Sequence, residues 1–337
     1  MSAEVLCTLE LPEPFPTLVA PVATLRTLGR LPGHEELCDE LRVHPADVLC
    51  PQLRDAIDDA VLDAGLPRLR SICIYAAGFD NIDVSAATER GIVVGNTPGV
   101  LTDATADCAM GLIIATARRL CEGDGETRAG RFTGWEPTYM LGLDLHEAML
   151  GIVGFGRIGQ AVARRALAFS MRVAYFDSTD PPVASDLRDH VDAVPLGALI
   201  AESDVISLHC PLTDATHHLI DEAALRRMKR TAVLVNTSRG PVVDESALVR
   251  ALREGWIGGA GLDVYEREPK LADGLTECRN AVLSPHLGSA TVRTRAAMSE
   301  RCAQNTLDAL AGKTPRHSVN PEAWEPHPPP PLIDLPG

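Results

Sequence analysis

The run Leu150-Gly151-Ile152-Val153-Gly154-Phe155-Gly156-Arg157-Ile158-Gly159-Gln160 decides the fold. It reads as a short apolar strand, a G-x-G-x-x-G turn and the start of a helix. Alone the glycine pattern is weak, because short patterns recur by chance. Its surroundings make it specific. A helical pattern over Gln160–Phe169 follows, then an apolar strand, Arg172–Phe176, that ends in Asp177, 18 residues after Gly159. A dinucleotide-binding βαβ unit needs this order. Gly154 permits the tight turn, Gly156 lets backbone approach a pyrophosphate, and Gly159 lets helix and strand pack closely. The helix start then offers N–H groups and partial positive charge to the phosphates. Asp177 is expected on the adenosine ribose hydroxyls. Ser178-Thr179-Asp180 beyond it supply no arginine for a 2′-phosphate, so NAD is expected over NADP.

Outward from this unit, short apolar runs alternate with helical patterns. Strands are expected at Val48–Leu49, Ser71–Tyr75 and Ile92–Val94. A second series is expected at Met149–Val153, Arg172–Phe176, Val205–His209, Ala232–Val235, Gly259–Leu262 and Ala281–Leu283. The alternation predicts an α/β fold of two Rossmann-like, doubly wound parallel-sheet domains. Long helical patterns at Thr105–Leu120 and Val292–Leu310 are long enough to cross between domains. The substrate domain is therefore expected to be discontinuous: 1–98 and a returning segment 290–320, around a dinucleotide domain 99–289. Residues 321–337, with four consecutive prolines, read as a proline-rich extended tail.

Composition limits the function. The 337 residues are 45% hydrophobic, so sizeable cores are expected. With 31 basic and 46 acidic residues the formal charge is −15, which disfavours nucleic acid and anionic membrane surfaces as partners. The longest apolar run, Cys108–Ala117, is about half of a bilayer span. Nine scattered cysteines without C-x-x-C point to free thiols in a reducing compartment, and a cytoplasmic location is expected. His217-His218 has no cysteine or acidic residue at ligand spacing and reads as structural, so no metal site is expected. Glu266 reads as solvated surface.

Three strands run into chemistry-bearing segments, and ligands of doubly wound sheets bind at the carboxyl ends of strands. They are Asn236-Thr237-Ser238-Arg239-Gly240, Asp263-Val264-Tyr265-Glu266-Arg267-Glu268-Pro269 and Ser284-Pro285-His286-Leu287-Gly288. Arg239, Glu268 and His286 together suit carbonyl reduction. The arginine can hold a carboxylate and polarise a carbonyl, the histidine can protonate the forming alkoxide, and the glutamate can orient that histidine.

These segments, with Tyr75-Ala76-Ala77-Gly78-Phe79-Asp80-Asn81 and Asn96-Thr97-Pro98-Gly99-Val100-Leu101-Thr102-Asp103-Ala104-Thr105, resemble the D-isomer-specific 2-hydroxyacid dehydrogenases, most closely the glyoxylate/hydroxypyruvate reductases. The likeness covers roughly residues 45–320. It implies that Arg239 grips the substrate carboxylate and keto oxygen, and that His286, paired to Glu268, is the acid in reduction. It implies that the backbone amides of Ala77 and Gly78 hold the carboxylate, with Gln52 and Leu53 near the far end of the substrate. Phe155, Arg157 and Ile158 would meet the pyrophosphate, and Cys210 and Pro211 would flank the adenine side. Thr237, Ser238, Asp263, Thr105 and Gly288 would lie on the nicotinamide side. A homodimer is implied, with Trp135 or Tyr139 reaching the partner subunit. Phosphite dehydrogenase is an alternative, weakened because Ala77 stands where that enzyme carries a lysine. A dinucleotide-sensing corepressor of the same family is the non-enzyme alternative.

Overall fold

The computed structural model describes residues 2–325 and 328–334. The chain divides into two compact units, 1–101 with 291–337, and 102–290.

The first unit runs β1 (Glu4–Cys7), α1 (Phe15–Val19), β2 (Thr24–Thr27), α2 (His34–Val43), β3 (Val48–Cys50), α3 (Asp59–Gly65), β4 (Ser71–Cys73), α4 (Val84–Glu89) and β5 (Val93–Gly95). Its sheet has the order β2-β1-β3-β4-β5, with every pair parallel. β3, β4 and β5 are wholly buried, which is why they read as unbroken apolar runs. Two cores lie against this sheet. One gathers Leu37, Leu41, Val61 and Leu62 of α2 and α3, and the other gathers Phe15, Val19, Met298 and Cys302. The segment from Pro321, expected as an extended tail, docks on this unit. Trp324 is 3% exposed and donates to the Gly91 carbonyl, and the Leu332 N–H donates to the Leu310 carbonyl. Residues 326, 327 and 335–337 of that reading lie outside the described residues.

The second unit runs α5 (Thr102–Ala117), α6 (Leu120–Arg128), β6 (Met149–Val153), α7 (Arg157–Ala168), β7 (Arg172–Phe176), β8 (Val191–Ala193), α8 (Leu196–Glu202) and β9 (Val205–Leu208). It continues through α9 (Glu222–Arg227), β10 (Val233–Asn236), α10 (Glu245–Glu254), β11 (Gly259–Leu262) and β12 (Ala281–Leu283); α11 (Val292–Leu310) then belongs to the first unit. The parallel sheet order is β12-β11-β10-β9-β6-β7-β8. The order reverses between β9 and β6, and such a switch point leaves a crevice at the carboxyl edge. The small residues of β11 have a packing reason: a Cβ on Gly261 would meet Leu112 and Thr116 of α5. Aspartates start α9 and α10, Asp221 accepting from Ala224 N and Asp244 from Ala247 N.

Two expectations change. The helix expected over Thr105–Leu120 begins at Thr102 and stops at Ala117, and Arg119 takes a left-handed φ of 54° before α6 starts afresh. Strands β1, β2 and β8 were not expected. β2 and β8 are partly exposed edges whose residues, Thr24-Leu25-Arg26-Thr27 and Val191-Asp192-Ala193, are not apolar runs.

All nine cysteines are free. Only Cys121 is exposed and Cys108 is half-buried; the other seven are buried.

Candidate active site

The glycine turn joins β6 to α7 as its spacing requires. Gly154 has φ +90°, and a Cβ there would strike the backbone of His209 and Cys210 at the end of β9. A Cβ on Gly159 would strike the Gly154 carbonyl, so helix and turn touch directly. Gly156 has nothing within 4 Å of where its Cβ would stand. The turn therefore leaves open room beside Gly156, at the first-turn N–H groups of α7, which lack intrahelical acceptors. These residues fit a bound pyrophosphate. Phe155 itself is fully buried, stacked on Tyr175 at 3.9 Å.

Asp177 stands at the end of β7 and is bound to the same turn. Its carboxylate accepts from the Phe155 N–H at 2.7 Å and from the N–H and hydroxyl of Thr179 at 2.9 and 2.8 Å. Partial burial raises its pKa, but these donors outweigh that effect and hold it below the usual range. A carboxylate offers about four acceptor positions, so room remains for one more donor.

The catalytic candidates lie at the ends of neighbouring strands β10, β11 and β12. Asn236, 1% exposed, closes the loop after β10. Its Nδ2 donates to the Arg239 carbonyl at 2.8 Å, and its Oδ1 accepts from the N–H and hydroxyl of Ser238. Arg239 Nη1 donates to the Ser238 carbonyl at 2.8 Å. Thr237 Oγ1 lies 3.5 Å from Nδ1 of His209, whose Nε2 is 2.8 Å from Ser207 Oγ. Burial pushes His209 down to about 4, so it is neutral at physiological pH.

After β12, His286 adopts φ +57°, a left-handed conformation uncommon outside glycine. Its Nδ1 is 3.0 Å from Glu268 Oε2, with 36% of the histidine side chain exposed. Glu268 Oε1 accepts from the Tyr265 N–H at 3.1 Å. Burial pushes the Glu268 carboxyl up. The His286 bond and charge, the Tyr265 N–H and the Arg239 charge overcome it, so Glu268 is held ionised below its ordinary value.

Two acids missed as supports hold this arrangement. Asp263, 1% exposed, accepts from Ser284 Oγ and from the N–H groups of Leu287 and Gly288, both at 2.7 Å. It thereby brackets His286 on both sides. The place where a Gly288 Cβ would stand is 3.2 Å from Asp263 Oδ2 and 3.5 Å from Thr105, so these three expected nicotinamide-side residues do come together. Glu245, the first residue of α10 and 3% exposed, accepts from the N–H groups of Glu266 and Ala272 at 2.8 and 3.2 Å. Those bonds flank Glu268. A buried acid at a helix start was the available signal, but burial is not visible in sequence. Glu266 is a correction. It is half-buried, accepts from the Glu245 N–H at 3.3 Å and lies 3.3 Å from His218 Nε2. His218 thus has an acidic partner, 48 residues away, which local ligand spacing cannot reveal.

Cys210 is buried beside Gly154, and the Pro211 carbonyl accepts from Thr216 Oγ1 at 2.6 Å. In the first unit, the Gln52 N–H donates to Asp55 Oδ2 at 2.7 Å, while Gln52 Nε2 is buried with no hydrogen-bond partner among the described residues. Leu53 lies half-buried against the α2–α3 core.

A parallel sheet with a phosphate-accepting turn at its switch point, and an imidazole–carboxylate pair on the same edge, defines a dinucleotide-dependent oxidoreductase. Comparison with known proteins sharpens this class. Residues 110–288 match the model of the D-isomer specific 2-hydroxyacid dehydrogenase NAD binding domain. The chain is 51% identical over 292 residues to a glyoxylate reductase of Korarchaeum cryptofilum (strain OPF8), covering 86% of this chain and 87% of that one. The solved glyoxylate reductase of Paecilomyes thermophila is 34% identical with a TM-score of 0.84, over 94% of this chain and 98% of that one. An NADPH-dependent glyoxylate/hydroxypyruvate reductase from Sinorhizobium meliloti, solved with NADP and malonate, is 31% identical with a TM-score of 0.83, over 96% and 98%. The chain belongs to the D-isomer specific 2-hydroxyacid dehydrogenase family.

Proposed function

We propose that this chain reduces small 2-oxo acids, glyoxylate to glycolate and hydroxypyruvate to D-glycerate, with NADH preferred over NADPH. The observation that carries this reading is the His286–Glu268 pair at 3.0 Å on the carboxyl edge that also bears the glycine turn. The nicotinamide, when bound, supplies the hydride. With Nδ1 given to the ionised Glu268, the Nε2 of His286 is the nitrogen that meets substrate. It donates a proton to the carbonyl oxygen as that oxygen gains charge. Glu268 stabilises the charged imidazole before transfer and holds its ring orientation afterwards. Arg239 grips the carboxylate and polarises the keto oxygen. Within the first unit, the Ala77 and Gly78 amides suit a carboxylate, as the family resemblance implies.

Asp177 supports NADH. A carboxylate kept ionised at the end of β7 repels a 2′-phosphate and accepts from a ribose hydroxyl. The unpartnered Nε2 of Gln52 supports a substrate with an oxygen beyond the keto carbon, as in hydroxypyruvate. A homodimer is part of the same reading. Between α6 and β6, Phe132, Trp135, Tyr139 and Leu141 are exposed, Trp135 by 83%, and α6 has no buried residue. Four large apolar side chains exposed along one short segment support a protein contact there. Nine free thiols suit a reducing cytoplasm, and no helix among the described residues is long and apolar enough to cross a membrane.

The test is kcat/KM for glyoxylate, hydroxypyruvate, pyruvate, oxaloacetate and phosphite, with each cofactor in turn. Glyoxylate and hydroxypyruvate should lead, with NADH ahead of NADPH. A tenfold lead for oxaloacetate or phosphite would overturn the substrate assignment, and equal use of the two cofactors would overturn the role given to Asp177.

A further inference from the structure

The Ala77–Gly78 amide pair lies in a bend after β4, and a loop needs something to fix the direction of its peptides. In the first unit that support comes from the residues just after β5. The Asn96 side chain, on a residue 7% exposed, donates from Nδ2 to the Ala77 carbonyl at 2.6 Å. The N–H of Thr97 donates to the Ala76 carbonyl at 2.8 Å.

A trans peptide is planar, with its C=O and N–H pointing in opposite directions. Both peptides here are trans. Fixing the Ala76 carbonyl therefore fixes the Ala77 N–H, and fixing the Ala77 carbonyl fixes the Gly78 N–H. Both N–H groups are turned away from Asn96 and Thr97, and neither donates to a protein group among the described residues. Adjacent backbone N–H groups held without an internal acceptor form a concavity suited to an anionic oxygen.

Asn96 is itself held from behind. Its N–H donates to the His317 carbonyl at 3.1 Å, and its carbonyl accepts from Nδ2 of the fully buried Asn305 of α11 at 2.8 Å. A Cβ on Gly95 would press on that asparagine, 3.0 Å from Nδ2. The amide must be an amide. An aspartate at 96 could not donate to the Ala77 carbonyl, and would place a negative charge behind a site meant for an anion.

We propose that Asn96 is a positioning residue that aims the Ala77 and Gly78 N–H groups at the substrate carboxylate. The proposal rests on the function proposed above. It is tested with Asn96→Ala and Asn96→Asp in the full chain. Steady-state kinetics with NADH and glyoxylate is combined with calorimetric binding of oxamate, a non-reducible analogue with the same carboxylate and neighbouring carbonyl, to the NADH-bound protein.

A lost hydrogen bond supporting a charged ligand corresponds to about tenfold or more. Asn96→Ala is therefore expected to raise KM for glyoxylate and Kd for oxamate about tenfold, with KM for NADH near wild type. Asn96→Asp is expected to raise both further. A purely structural role would instead lower the melting temperature and leave both constants in place. If Asn96→Ala does not fold, Asn96→Ser, which shortens the donor, and Asn305→Ala, which removes the support behind it, must produce the same selective rise. Unmoved oxamate and glyoxylate constants in folded variants of an active enzyme overturn this assignment alone. A wild-type protein that neither reduces a 2-oxo acid nor binds oxamate overturns the function on which it rests.

Discussion

His286 combines two features that a free histidine would not adopt together: a left-handed backbone and a side chain bonded to an ionised glutamate. Sparsely populated backbone conformations persist where the surroundings over-determine them, and here Asp263 does so from both sides. The ring is thus placed by its neighbours, and its removal should cost chemistry rather than cofactor binding. His286→Ala is expected to lower kcat by about 10²-fold or more while the NADH dissociation constant, read by fluorescence, stays near wild type. Near wild-type turnover would remove His286 from the proton-transfer role. His209 gives a second test at this scale, through pH. Its folded pKa of about 4 lies below its ordinary 6.5. Between those values the unfolded chain binds a proton that the folded chain does not. Stability from this group is therefore fully present above 6.5 and lost as pH falls towards 4. The melting temperature of His209→Gln should fall less steeply over that window than that of wild type; parallel curves would show that His209 is not held neutral.

At the scale of elements, the working parts are loops at strand ends, and each is tied by a buried acid or amide to a regular element. The β11 loop is the clearest case, because Glu245 at the start of α10 holds the backbone on both sides of Glu268. Glu245→Ala should release that loop. The expected outcome is a kcat loss of about tenfold or more, since small misplacements of reacting groups are costly, together with a lower melting temperature. An unchanged kcat would show that Glu268 is placed without Glu245. Legibility in the sequence follows the same division. The glycine turn, the wholly buried strands β9 to β11 and the Arg239, Glu268 and His286 segments are legible, because burial on both sheet faces leaves apolar runs and strand ends follow from them. Edge strands such as β2 are not, because a half-exposed strand has no such run. Neither are the roles of Asp263, Glu245 and Asn96, whose side chains bond to groups 19 to 27 residues away, set by which strands become neighbours. The break at Arg119 is also silent in sequence, since nothing in Ala117-Arg118-Arg119-Leu120 is a helix breaker.

For the whole molecule, a formal charge of −15 opposes anionic substrates, so their capture relies on local donors, and the measured KM should depend on ionic strength. The exposed apolar side chains between Phe132 and Leu141 bear on assembly. Light scattering at micromolar concentration should give a dimer, and Trp135→Glu with Leu141→Glu should give a monomer. A monomeric wild type would contradict the proposed contact. The distribution of cysteines has a different consequence. With Cys121 exposed, and with burial raising Cys108 and Cys210 to about 11, the native chain should offer an aromatic disulfide reagent at pH 8 no more than one fast thiol. The denatured chain offers nine. Of the eight protected sulfurs, Cys7, Cys38, Cys50, Cys73 and Cys302 belong to the first unit, and Cys108, Cys210 and Cys278 to the second. The colour released over time therefore times the opening of each half of the protein, with no label introduced by mutation. Two or more thiols reacting at once in the native chain would overturn that protection.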